Sequence, residues 1–76
     1  MRFPNQRLAQ LFAALQSETL PQDELARRFS VSTRTVRTDI TALNALLEQH
    51  GAQFVLARGA GYQLKIDDAV RFGRLQ

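Results

Sequence analysis

The residues best equipped for chemistry cluster in one short stretch: Ser32, Thr33, Arg34, Thr35, Arg37 and Thr38. A guanidinium offers paired N–H donors that match phosphate oxygens and the acceptor edge of guanine. A threonine or serine hydroxyl both donates and accepts. Together they suit the recognition of a polyanion and of base edges. Arg58, ahead of Gly59-Ala60-Gly61, adds a separate cationic candidate. Nothing in the chain pairs a nucleophile with a base, so no catalytic residue is expected. There is no cysteine, which removes thiolate nucleophiles, thiolate metal sites and disulfides. His50 is the single histidine; near a helix end it suits the dipole or the last carbonyls better than a metal. No metal and no cofactor are expected.

Elements must place these residues. Leu8, Leu11, Phe12 and Leu15 recur at i, i+3, i+4 and i+7, which puts one apolar stripe on a helix from about Asn5 to Ser17. Pro4 or Asn5 is a suitable start. Pro21 presets a first turn, and Asp23 and Glu24 complement a helix N-terminus. A second helix therefore runs from about Gln22 to Phe29, with Leu25, Ala26 and Phe29 inward. Ser30-Val31-Ser32 breaks the pattern, and Ser32 is a good N-cap. A third helix follows from about Thr33 to His50 on Val36, Ile40, Leu43 and Leu47, stopped by Gly51. The period then falls to two. Gln53 to Ala57 and Tyr62 to Ile66 read as strands around a glycine-bearing turn. Tyr62, Leu64 and Ile66 should pack inward, with the Tyr62 hydroxyl at the rim, while Gln63 and Lys65 face water. Gly59-Ala60-Gly61 lacks the third glycine and the strand-to-helix context of a nucleotide-binding loop.

Composition sets the bounds. Seventy-six residues make one domain at most, and 45% hydrophobic content is enough for a small core. Ten basic residues, nine of them arginine, face seven acidic ones for a net charge of +3, so the distribution of charge matters more than its sum. Arg27, Arg28, Arg34 and Arg37 lie close in sequence with no acid among them. No apolar run has membrane-spanning length, and with a polar, proline-bearing start no secretion signal is expected.

Two helices joined by a short turn form a helix-turn-helix. Ala26 is the small residue at the helix crossing, Val31 the apolar turn residue and Val36 the anchor in the second helix of the pair. Ser30 stands where glycine is usual, and a positive φ there would cost a serine roughly 1 kcal/mol. With Val36 and Ile40 inward at about 100° per residue, Arg34, Thr38 and Thr41 fall on the opposite face. Arg37 and Thr35 lie on its flanks. Asp39 is also on a flank, where it suits an arginine as a structural partner.

The run Val31-Ser32-Thr33-Arg34-Thr35-Val36-Arg37-Thr38-Asp39-Ile40, followed by Leu43-Asn44, resembles the recognition helix of DeoR-like and BirA-like winged-helix domains. Leu25-Ala26-Arg27-Arg28-Phe29 is similar to their preceding helix, and Gly59-Ala60-Gly61-Tyr62-Gln63-Leu64 to their "GxGYxL" wing. The combination looks most like the N-terminal domains of sugar-operon regulators that carry PTS regulation domains, the BglG/MtlR antiterminator-activator group. Thr38 departs from a frequent Arg-Arg-Asp pattern.

The fold class expected is therefore α+β: a winged helix-turn-helix of three helices and a two-stranded hairpin wing over residues 1–66. Residues 67–76 show no pattern and read as the start of a linker to a C-terminal regulatory part. Arg34, Arg37 and Thr38 are expected to read base edges of double-stranded DNA. Ser32, Thr33, Thr35 and Arg58 are expected to hold its backbone or minor groove. The resemblance further implies a cytoplasmic transcription regulator of a carbohydrate-utilisation operon. It also implies a homodimer in the full-length protein and phosphotransferase-system proteins as partners of the C-terminal part. Two alternatives stand beside this. An RNA-binding role would call for exposed aromatic stacking platforms, and a protein-interaction role for aliphatic residues on the recognition face. Neither is evident.

Overall fold

A computed structural model describes residues 2–74. Helix α1 (Gln6–Ser17) begins where Asn5 Oδ1 accepts the Leu8 N–H at 2.9 Å, which satisfies one of the orphan donors of the first turn. Leu8, Leu11, Phe12 and Leu15 are buried, as their spacing requires. Helix α2 (Gln22–Arg28) follows Pro21, with Asp23 and Glu24 in its first turn and Arg27 and Arg28 in its last. Both placements complement the helix dipole. Ser30 leaves α2 at φ 54°, so the position expected to need a positive φ does need it.

Ser32 caps helix α3 (Thr33–Leu47): its Oγ accepts the Thr35 N–H at 3.1 Å. Val36, Ile40, Leu43 and Leu47 are buried. The α-helix stops short of the expected His50, because Glu48–His50 tightens into a 3₁₀ turn ended by Gly51 at φ 69°. The Gly51 carbonyl there accepts the N–H groups of Asp67 and Asp68 at 2.7 and 2.9 Å. A Cβ on Gly51 would lie 2.6 Å from the Asp68 Cβ. The turn is thus shaped by a segment that returns to it from the far side of the hairpin.

Strands β1 (Ala52–Ala57) and β2 (Gly61–Ile66) pair antiparallel, with Phe54 opposite Leu64 and Ala57 opposite Gly61. Leu20, in the link between α1 and α2, adds a third short edge. Its N–H donates to Tyr62 O at 3.1 Å, and Tyr62 N–H donates back to Leu20 O at 2.8 Å. A Cβ on Gly61, whose φ is 115°, would stand 2.2 Å from the Leu20 carbonyl. Only glycine fits that approach. Tyr62 and Leu64 pack against the core, and Gln63 and Lys65 are exposed, as the alternation requires. Ile66 is a correction: it is 48% exposed, because the inward row runs off the edge of the core at the last residue of its strand.

The stretch after the hairpin holds a second correction. Residues 69–73 are helical rather than irregular: α4 (Ala69–Gly73) is capped by Asp68, whose Oδ1 accepts the Val70 and Arg71 N–H groups, both at 3.1 Å. Phe72 is buried, its ring centroid 6.4 Å from that of Phe12. Five residues with one buried aromatic are too short to display a period. The last two residues of the expected linker lie outside the described residues. Phe12 also meets Phe3 at 5.4 Å and Phe54 edge-on at 6.1 Å. The core is thus stacked from α1 through β1 to α4.

Candidate nucleic-acid interface

Burial of Val36, Asp39, Ile40 and Leu43 sets the rotation of α3. Arg34, Arg37, Thr38 and Thr41 consequently emerge on its exposed side, with Thr33 and Thr35 half-buried on the margin and Ser32 exposed at the cap. The structure ties most of these residues in three local pairs, each within one turn of α3. Thr38 Oγ1 donates to the Arg34 carbonyl at 3.1 Å, and Thr41 Oγ1 to the Arg37 carbonyl at 3.0 Å. Ser32 Oγ donates to Thr35 Oγ1 at 3.1 Å while accepting the Thr35 N–H. The hydroxyl protons of Ser32, Thr38 and Thr41 are committed within the protein, so these groups face outward as acceptors or after a rotation. Arg58 stands apart on the exposed turn of the hairpin, closed by the Ala60 N–H donating to Ala57 O at 3.0 Å.

The arginines that look alike in sequence are divided by the structure. Arg28 spans two carboxylates: Nη1 to Glu18 Oε2 and Nε to Glu24 Oε2, both at 3.1 Å. Arg27 also pairs with Glu24. The Arg28 hydrogen bond, opposed by some desolvation and aided by the charge of Arg27, holds the Glu24 carboxyl below its ordinary pKa. The hydrogen bond to Glu18, and next that to Glu24, raises the pKa of Arg28. These two cations brace the end of α2. Among the described residues Arg34, Arg37 and Arg58 form no ion pair, so their donors remain available to a ligand.

Asp39 does take an arginine partner, and the partner is Arg7 on α1. Arg7 Nε donates to Oδ2 at 2.6 Å and Nη2 to Oδ1 at 3.1 Å. This hydrogen bond, with the charge of Asp39, raises the Arg7 pKa. The pair covers the one carboxylate of α3 and leaves its outer side cationic. A second tie, of Asn44 to the backbone of Phe54, fixes α3 against β1. Neither tie is legible from local patterning, since Arg7 and Asp39 are 32 positions apart and Asn44 resembles any polar helix residue. The sequence marks Asp39 only as a flank acid suited to an arginine partner, and nothing local points to Arg7.

Tyr62 packs partly buried against the core, and its backbone is bridged to that of Leu20. His50 is half-buried at the end of the 3₁₀ turn. The described residues hold no group of three side chains that could ligate a metal. No described helix is long and apolar enough to cross a membrane.

A capped helix carried by a preceding short helix, with an outward cationic, hydroxyl-rich face and a hairpin fixed beside it, defines a winged helix-turn-helix DNA-binding domain. The HTH domain family matches residues 7–63, and the chain belongs to that family. It is 48% identical over 50 residues to the "Probable licABCH operon regulator" of Bacillus subtilis (strain 168). The matched stretch is 66% of this chain and 8% of that regulator, so the chain corresponds to a small part of its length. No solved structure matches the chain.

Proposed function

We propose that this domain is the reading head of a transcription regulator, with α3 seated in the major groove of double-stranded DNA and the hairpin against the neighbouring backbone or minor groove. One observation carries the reading. Arg34 and Arg37 are exposed on α3 and free of ion pairs among the described residues, while Arg7, Arg27 and Arg28 are all engaged by carboxylates. Arg34, Arg37 and Thr38 are the base-reading residues of this proposal. Ser32, Thr33, Thr35 and Arg58 hold the backbone. A resemblance to PTS-linked regulators and the operon regulator's printed name support an operon as the target, with sugar utilisation as its subject. A single small module binds weakly, so a homodimer reading two half-sites follows. A cytoplasmic location and phosphotransferase-system proteins as further partners belong to the same reading.

The test is a titration of the domain with duplex DNA and with single-stranded RNA at matched salt. Duplex binding should be tighter and should weaken with salt as phosphate contacts release counterions. Equal or tighter binding of the RNA would overturn the DNA reading. The recognition face presents no exposed aromatic on which an unpaired base could stack.

A further inference from the structure

Arg7 lies outside the helix-turn-helix pair, yet its guanidinium is held against α3. A guanidinium has five N–H donors and two edges able to meet an oxyanion bidentately. Asp39 occupies one of them, the edge formed by Nε and Nη2. The edge formed by Nη1 and the second Nη2 proton makes no hydrogen bond among the described residues. The Arg7 side chain is 41% exposed, whereas that of Asp39 is 9% exposed. The buried acid therefore anchors an arginine whose other edge is open to solvent.

The position of Asp39 says what that open edge faces. Asp39 follows Thr35 by four residues, one turn further along the same flank of α3, and it adjoins Thr38 in sequence. A helix lying in the major groove has a phosphate backbone along each flank. We propose that Arg7 is a pre-positioned phosphate contact: Asp39 holds one edge of its guanidinium so that the other meets backbone phosphate oxygens beside α3. The inference rests on the DNA reading above and adds to it a contact from α1. A held arginine loses little freedom on binding, which gives the ion pair a purpose beyond stability.

The experiment compares the wild-type domain with Arg7→Gln and with the double variant Arg7→Gln/Asp39→Asn on a random-sequence duplex, across a salt series. The double variant strands no charge, and its net charge equals that of the wild type. A change in its salt dependence must therefore come from a local contact and not from the overall field. Each lost phosphate contact lowers the slope of log K against log salt by about 0.9. We expect the double variant, checked as folded by circular dichroism, to show that decrease. Arg7→Gln should show it as well if it folds. A folded double variant with the wild-type slope would mean that Arg7 serves only the fold, and the inference fails. If the wild type itself binds no duplex, the failure lies with the DNA reading, and the inference falls with it.

Discussion

The side-chain amide of Asn44 takes up both backbone groups of Phe54: Oδ1 accepts the Phe54 N–H at 2.7 Å, and Nδ2 donates to the Phe54 carbonyl at 3.3 Å. One polar side chain thus completes the inner edge of β1 and ties the hairpin to α3. Asn44→Ala leaves a buried N–H without a partner, at a cost of about 1–3 kcal/mol. Urea denaturation should show that loss. A change below about 0.5 kcal/mol, the range of ordinary surface substitutions, would mean that water or a shifted backbone replaces the clamp.

The turn glycines should differ sharply. Gly61→Ala drives a Cβ into the Leu20 backbone at a positive φ, so it should destabilise the domain by about 3 kcal/mol or more. Gly59 has a φ of 80° but nothing within 4 Å of its virtual Cβ. Gly59→Ala should therefore cost only the conformational strain of about 1–2 kcal/mol. Thermal melts rank the two, and equal losses would show that the Leu20 approach relaxes easily.

Val36→Asp should unfold the domain, whereas Arg34→Ala should leave it folded. Val36 is buried in the core, and an unpaired charge there costs several kcal/mol, comparable with the stability of a domain this small. Arg34 is exposed and forms no ion pair among the described residues, so its removal should change stability by about 0.5 kcal/mol or less. Circular dichroism of both variants checks this. An Arg34 variant that melts well below wild type would contradict the exposure of its side chain.

Reading and holding should separate in binding. Arg34→Ala or Arg37→Ala removes a base contact in the proposed complex, at about 1–3 kcal/mol, and relaxes preference at one base pair. Arg58→Ala should weaken operator and random DNA alike and lower the salt slope by about one unit. Footprinting of the promoter region supplies the operator, and competition titrations supply the ratio. If Arg58→Ala abolishes discrimination and both helix variants keep it, the hairpin is the reader.

Most of the architecture was legible because its signals are local. Leu8 to Leu15 and Val36 to Leu47 repeat at helical spacing, Asn5 and Ser32 are capping types, and a change to period two marks the hairpin. Even the strain at Ser30 followed from the turn it occupies. What was not legible depends on contacts distant in sequence. Phe72 is buried because Phe12 is waiting across the core, and α3 ends early because Asp67 and Asp68 return to Gly51. The same holds at the interface. The exposed face of α3 follows from its period, whereas the division of the arginines into paired and free depends on where Glu18, Glu24 and Asp39 come to lie.

The short helix after the hairpin has a practical consequence. Arg74 is joined to a segment whose aromatic ring is seated in the core and whose cap is built on Asp68. With no native cysteine in the chain, Arg74→Cys would offer a unique thiol for a fluorophore at that point. A dye there would tumble with the domain and would not wag on a loose tether. Its polarisation would then follow the size of whatever the domain had captured.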